Sequence, residues 1–199
     1  MVRAIIIWIF VSATAVFAEE LPRLHDVSGV AADDVLNVRA GPGGSHPIVG
    51  TLQPNQQGVE VIRIEGNWGL VNVEERAGWA SLSYLVSRDD GNLGNAQRLV
   101  CHGTEPFWDL DIYQGQQAVM KTPSNFDGET YHVGLFQGAW SQTRKWTLLG
   151  SGARHELSMV LLKTQCSDGM SDREFGFDAT VFLAGPDART FTGCCQLQD

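Results

Sequence analysis

Short runs of alternating apolar and polar residues recur along the first half of the chain, and turn-forming residues separate them. This pattern predicts β-strands rather than helices. The predicted strands of this half cover residues 35–39, 48–52, 58–64, 68–73 and 77–80. They follow one another too closely to leave room for helical crossovers, so they must pair antiparallel. We therefore predict a small closed barrel.

The second half shows the same alternation. Its predicted strands cover residues 107–112, which follow Pro106, and 131–135, 145–149, 155–163, 179–183 and 190–194. The apolar run at 159–162 would also fit a buried helical turn, but its polar flanks favour a strand. We predict a second antiparallel β domain, either a barrel or a sandwich, so the expected fold class is all-β.

A polar, turn-rich stretch over residues 87–95 separates the two halves and has no periodicity. Such segments commonly link domains. We predict a first domain over 19–88, a linker over 89–98 and a second domain over 99–199.

The beginning of the chain has the pattern of a secretory signal peptide. Residues 4–17 are almost wholly apolar and follow Arg3, and small residues at Val16 and Ala18 suit signal-peptidase cleavage. The run is shorter than the ~20 residues that span a bilayer, which disfavours the alternative of an uncleaved anchor. We predict a signal peptide over 1–18, cleaved after Ala18. The mature chain is then periplasmic or secreted, without membrane insertion.

The cysteines all lie in the second half, and export to an oxidising compartment favours disulfides between them. They are Cys101, Cys166, Cys194 and Cys195. A bond between the adjacent pair would close a strained eight-membered ring, so that pairing ranks last. Adjacent side chains on a strand point to opposite faces, so one of this pair would reach Cys101 and the other Cys166. Because no Cys-x-x-Cys spacing occurs, zinc is the weaker alternative, and we predict no metal site.

Composition and motifs exclude several functions. The chain has 199 residues, and its 14 Lys and Arg against 23 Asp and Glu give a net charge of −9. This balance disfavours nucleic acid and anionic lipid as partners. The sequence also lacks the nucleophile elbow, the His-Glu-x-x-His motif and phosphate-binding loops. We therefore expect no cofactor and no catalysis.

Several motifs of the first half resemble the bacterial SH3-like domain in order and spacing. They are residues 36–42 (LNVRAGP), Gly50, 66–68 (GNW), 77–80 (AGWA) and 83–85 (SYL). The resemblance covers about residues 26–87. It implies an SH3-like small barrel, here followed by a disulfide-bonded antiparallel β domain. It also implies a binding module of exported proteins that contacts peptidoglycan or peptides, and it does not imply catalysis.

Within this module we take Asn37, Arg39, Trp68 and Tyr84 as candidate binding residues. Aromatic rings beside an arginine and an amide can stack on a sugar or peptide and donate directional hydrogen bonds. In the alternative interpretation, the two aromatic residues close the ends of the barrel and Arg39 pairs with a surface carboxylate.

The second half resembles an uncharacterised domain of bacterial envelope proteins over about residues 99–196. The resemblance lies in residues 105–108 (EPFW), 166–172 (CSDGMSD) and 193–194 (GC). It implies an envelope location and no known activity. The candidate residues of these motifs are Glu105, Trp108, Asp168, Met170 and Asp172. Calcium binding by the 166–172 segment is less favoured than a turn whose Asp side chains bond to its own backbone.

Three functional hypotheses follow. The first is an exported binding protein of the cell envelope, whose SH3-like module contacts peptidoglycan or an envelope protein. The second is an inhibitor or adaptor of an envelope enzyme, which docks through the acidic second domain. The third is a hydrolase of the second domain with Glu105 or Asp168 as the acid or base. The sequence leaves the oligomeric state open.

Overall fold

A computed structural model describes residues 20–199, so the predicted signal peptide lies outside the described residues. The fold is all-β, as predicted: this part of the chain contains strands, one 3₁₀ turn at Leu82–Tyr84 and no α-helix. Residues 20–199 contain no helix that is long and apolar enough to cross a bilayer.

Two small sheets form the first structural unit. Its strands are β1 (Arg23–Val27), β2 (Leu36–Arg39), β3 (Ile48–Leu52), β4 (Val59–Val61), β5 (Arg63–Glu65), β6 (Trp68–Val73), β7 (Arg76–Ser81) and β8 (Leu85–Ser87). One sheet has the order β4-β1-β8 and the other the order β3-β2-β7-β6-β5. Both contribute to one apolar core, in which Val38, Val61 and Val71 are fully buried. We call this unit the small barrel.

The predicted strands of the small barrel are present, with two differences. The run 58–64 divides into β4 and β5 at Ile62, whose amide donates to the Leu70 carbonyl at 2.9 Å. Strand β1 was not predicted, because in its short sequence RLHDV the two apolar residues are separated by His25 and Asp26. It nevertheless buries Leu24 and Val27 and pairs with both β4 and β8, so it holds one sheet together.

The second unit is a closed antiparallel barrel of eight strands. Its elements are β9 (Arg98–Thr104), β10 (Phe107–Tyr113), β11 (Gln117–Thr122), β12 (Asn125–Val133), β13 (Gln137–Gly138), β14 (Lys145–Gly152), β15 (Glu156–Cys166), β16 (Phe175–Ala184) and β17 (Arg189–Gln198). Neighbours in sequence pair with one another, β17 closes onto β9, and β12 pairs with β14. The short β13 pairs only with β14. The structure thus selects the barrel over the sandwich, and we call this unit the large barrel.

Eight strands give an interior just wide enough to be filled by side chains. Inward-facing positions along each strand form the core, and Leu99, Leu110, Leu161 and Val181 among them are completely buried. The run at 159–162 lies within β15, so the prediction of a strand there is confirmed. Strand β11 was not predicted from the sequence.

Both disulfides lie in the large barrel, and Cys194 and Cys195 do not pair with each other. Cys101 bonds to Cys195 directly across β9 and β17, and this bridge belongs to the interior core. Cys166, at the end of β15, bonds to Cys194. The two bridges confirm the predicted pairing of the adjacent cysteines with distant partners and settle which one reaches which.

The segment predicted as a linker is packed rather than extended. Leu93 and Ala96 are buried in the core of the large barrel. The Gln114 side chain donates to the Leu93 carbonyl at 2.8 Å, and the Leu24 amide donates to the Gly91 carbonyl at 2.9 Å. This segment therefore contacts both barrels.

The loop formed by residues 167–174 docks against the β6–β7 hairpin of the small barrel. The side-chain nitrogen of Asn72, Nδ2, donates to the Glu174 carbonyl at 2.7 Å, and the backbone amide of Glu174 donates to Asn72 Oδ1 at 3.1 Å. The Ala77 amide donates to the Asp172 carbonyl at 2.8 Å, and the Asp172 amide to the Glu75 carbonyl at 3.0 Å. The two barrels thus meet through backbone pairing as well as side chains. We call this segment the docking loop.

Candidate functional site

The four residues selected in the small barrel lie around one cleft of about 400 Å³. Asn37 and Arg39 come from β2, Trp68 begins β6 and Tyr84 ends the 3₁₀ turn. The loop before β2, with Asp34, also lines the cleft. Three separate segments of the chain therefore bring these side chains together.

The alternation of β2 explains why two of them face outward. Leu36 and Val38 point into the core, where they are 6% and 0% exposed, while Asn37 and Arg39 are half-buried on the other face. The Arg39 guanidinium donates to the His46 carbonyl at 2.8 Å. It forms no ion pair within residues 20–199, so the predicted alternative of a surface carboxylate partner is not what the structure shows. Its positive charge is available at the cleft.

Hydrogen bonds between turns position the aromatic side chains. The Asn67 side chain donates to Ser83 Oγ at 2.9 Å, and the Leu82 amide donates to the Asn67 carbonyl at 2.9 Å. These two hydrogen bonds connect the turn before Trp68 to the turn that carries Tyr84. Trp68 is half-buried and Tyr84 is 42% exposed, so both rings offer surface to a ligand.

In the large barrel, Trp108 has a structural role. It is 2% exposed, and its indole nitrogen donates to the Thr192 carbonyl at 3.0 Å. The ring lies across Gly103 and Gly193, where an added Cβ would come within 2.1 Å of Trp108 Nε1 and 2.8 Å of Cζ2, respectively. The EPFW and GC motifs are thus joined by the packing of one indole.

Asp168 is held in place by its own loop. Its carboxylate accepts from the amides of Met170 and Ser171 at 3.0 and 2.9 Å and from the Ser171 hydroxyl at 2.7 Å. Burial alone raises the pKa of this carboxyl, but these hydrogen bonds and the nearby His102, 3.6 Å away, outweigh burial and hold the pKa at about 2. Asp168 is therefore ionised with its oxygens occupied, which does not suit an acid or base. Its hydrogen bonds are those of the predicted turn.

The second-half motif residues only partly converge. Trp108, Asp168 and Met170 line a groove of about 320 Å³ that Glu75 of the small barrel completes. Glu105 is exposed at the tip of the β9–β10 hairpin and lines an adjoining hollow with Asp168. Asp172 does not line this groove, because the docking loop carries it to the β6–β7 hairpin. Across the described range 20–199, no three His, Cys, Asp or Glu side chains are placed to hold a metal ion.

A further cavity, of about 380 Å³, lies at one end of the large barrel and was not foreseen from the sequence. It contains Glu129, Tyr131 and His155, which the pairing of β12 with β14 brings together. Glu129 and His155 are 26 positions apart and form no recognisable motif. Only the strand register could have revealed this site.

Comparison with known proteins identifies the small barrel. Residues 34–86, from just before β2 into β8, match the family described as the bacterial SH3 domain. Neither a curated protein nor a solved structure matches the chain. The disulfides and this family both fit an extracytoplasmic location. The resemblance seen in the first half of the sequence is thus confirmed over residues 34–86, which match the bacterial SH3 domain, a type of binding module. The resemblance of the second half remains a prediction.

Proposed function

We propose that this chain is an exported binding protein of the cell envelope, whose small barrel holds peptidoglycan or an envelope protein in the cleft of Asn37, Arg39, Trp68 and Tyr84. One observation carries the proposal: four polar and aromatic side chains from separate segments share one cleft on a barrel of a binding family. The mature chain would act in the periplasm or outside the cell.

The chemistry of the cleft suits a ligand with both a flat face and an acidic group. The Trp68 and Tyr84 rings provide surfaces for stacking on a sugar or peptide. Arg39 forms no ion pair within residues 20–199 and can donate to a carboxylate, and charge assistance strengthens such a bond. Asn37 adds an amide that both donates and accepts. Peptidoglycan combines sugars with peptides that carry carboxylates, and so provides both features.

The test is co-sedimentation of the chain from Glu19 onward with purified peptidoglycan. We expect the chain to sediment, and Arg39→Gln and Tyr84→Ala to lower its affinity about tenfold each. Arg76→Gln is the matched control, because Arg76 is an exposed arginine of the same barrel that does not line the cleft. Equal retention of all four proteins would contradict the assignment of the cleft. Absence of retention would exclude peptidoglycan as the ligand.

The groove between the barrels favours a second candidate, an adaptor or inhibitor that docks on an envelope enzyme. Phe107 and Met170, at 60% and 69% exposure, flank acidic Glu75 and Asp109. Exposed apolar side chains beside carboxylates suit a partner with a basic rim. A photo-crosslinker at Met170 should capture an envelope protein in a salt-sensitive manner, and one at the similarly exposed Val86 should not. Equal capture at both positions would argue against this candidate.

A further inference from the structure

The cavity at the end of the large barrel is distinct from the cleft of the small barrel. The hairpins β11–β12, β14–β15 and β16–β17 surround its mouth, since alternate connections of an up-and-down barrel lie at the same end. Its inner wall is apolar and consists of Met120, Leu183 and Phe191. Its volume of about 380 Å³ is at the lower end of the range for ligand pockets.

A histidine–carboxylate pair lies in the wall of this cavity. His155 Nδ1 is 2.8 Å from Glu129 Oε2, and their side chains are only 11% and 16% exposed. Glu129 Oε1 also accepts from the amides of Arg154 and His155, both at 3.2 Å. Burial raises the pKa of Glu129, but these hydrogen bonds outweigh it and keep the pKa below its usual range. Glu129 thus occupies Nδ1 and leaves His155 Nε2 without a partner within residues 20–199.

Tyr131 adds a buried hydroxyl beside the Glu129 carboxylate. The residue is 0% exposed, and its hydroxyl meets no acceptor in hydrogen-bond geometry within the described chain. Burial raises the pKa of the phenol, and so do the charge of neighbouring Glu129 and an interaction of the hydroxyl with that carboxylate, which falls short of regular hydrogen-bond geometry. The phenol therefore retains its proton. Leaving a buried hydroxyl unsatisfied costs free energy, and such groups commonly mark the place of a missing partner.

The rim of the cavity carries an unpaired positive charge. Arg189 donates to Ser124 Oγ at 3.3 Å and forms no ion pair with any residue from 20 to 199. Arg154 and Asp187 also lie at the mouth, 3.9 Å apart, and both are largely exposed. The guanidinium of Arg189 can therefore donate to an anionic group of a ligand at the mouth.

We infer that this cavity is a binding site for a compact organic anion, a carboxylate with a short apolar body. The carboxylate would accept from the Tyr131 hydroxyl and from Arg189, with His155 Nε2 beside it. The apolar body would pack against Met120, Leu183 and Phe191. This assignment rests on groups of the large barrel alone and is independent of the function proposed for the small barrel.

Calorimetric titration of the chain from Glu19 onward with octanoate tests the inference, with octanol and octylamine as uncharged and cationic controls. We expect octanoate alone to bind. Arg189→Gln and Tyr131→Phe should each weaken it by about fivefold to tenfold, the effect of one lost hydrogen bond. Arg144→Gln is the matched control, an exposed arginine that lies outside the cavity. Arg39→Gln should also leave octanoate binding unchanged.

The Tyr131→Phe variant separates a ligand contact from a structural one. Because Glu129 keeps its hydrogen bonds to His155 and to two backbone amides in this variant, removal of the hydroxyl should leave the melting temperature nearly unchanged, while octanoate affinity falls. A lower melting temperature would show that the hydroxyl already has a structural partner and would overturn its role as a ligand contact. Equal binding of octanoate and octanol, or no octanoate binding at all, would overturn the site.

Discussion

Asp168 shows how one side chain organises the loop around it. Its carboxylate accepts three hydrogen bonds within four residues, and its backbone carbonyl accepts another from Thr104 Oγ1 at 3.0 Å. The three bonds to the carboxylate shape the docking loop, and the bond from Thr104 connects that loop to β9. The ionised carboxylate of Asp168 therefore stabilises the loop.

Replacing this carboxylate should make the unfolding free energy less dependent on pH in the acidic range. The pKa of Asp168 is about 2 in the folded chain, against an ordinary value of 3.8 for an aspartate in an unfolded chain. Its stabilisation is thus complete above the unfolded pKa and is lost as pH falls through the folded pKa. We expect Asp168→Asn to cost about 2 kcal/mol of unfolding free energy near neutral pH and much less at pH values below about 2. Urea denaturation at the two pH values measures this, and an equal cost at both would contradict it.

Strand pairing, rather than individual residues, determines the two disulfides. The pairing of β9 with β17 places Cys101 beside Cys195 in the interior, and the preceding residue on β17, Cys194, faces the other side. There it meets Cys166 at the end of β15, immediately before the docking loop. One bridge therefore lies within the barrel wall, and the other fixes the loop that contacts the small barrel.

Removing the second bridge should loosen contact between the barrels before it unfolds either one. In Cys166→Ser/Cys194→Ser we expect a loss of about 2–4 kcal/mol in the large barrel. We also expect faster hydrogen exchange at the Ala77 amide, which donates to Asp172 of the docking loop. The Cys101→Ser/Cys195→Ser variant is the control, since that bridge does not adjoin the loop. Equal exchange of Ala77 in both variants would contradict this role.

At the scale of the whole molecule, the main feature is the contact between the two barrels, where a buried carboxyl group lies. Glu60 of β4 accepts from the Leu197 amide of β17 at 2.8 Å, and its second oxygen is buried without a partner in the described chain. Burial raises the pKa of Glu60 to about 8, although the Leu197 amide and the charge of Arg173 act in the opposite direction. The contact between the barrels is therefore most favourable when Glu60 is protonated.

The pH dependence of this contact has a definite sign. Glu60 has a folded pKa of about 8 and an ordinary, unfolded value of 4.5, so its destabilising effect is absent below the lower value and complete above the higher one. Between them, the unfolding free energy of the wild type should fall relative to Glu60→Gln by at most about 1.4 kcal/mol per pH unit. Urea denaturation across this range measures the difference. A difference that does not change with pH would contradict the assignment.

The sequence predicted most of the strands of this architecture, namely those in which apolar and polar residues alternate. The alternation at Leu36 and Val38 located the small barrel, and the adjacency of Cys194 and Cys195 excluded one pairing. Strand β1 was missed because its burial depends on partners far away in sequence. The Glu129–His155 pair was missed because barrel closure, which no local pattern encodes, brings the two residues together.

The order of the cysteines along the chain has a consequence for maturation. If the chain is exported from its amino terminus, Cys101 and Cys166 enter the oxidising compartment first, and neither is the other's native partner. The last strand, β17, carries both correct partners and also closes the barrel. A thiol oxidase acting on cysteines as they emerge would therefore join the wrong pair. Correct maturation requires oxidation to wait for the final strand, or a disulfide isomerase to correct the early bond.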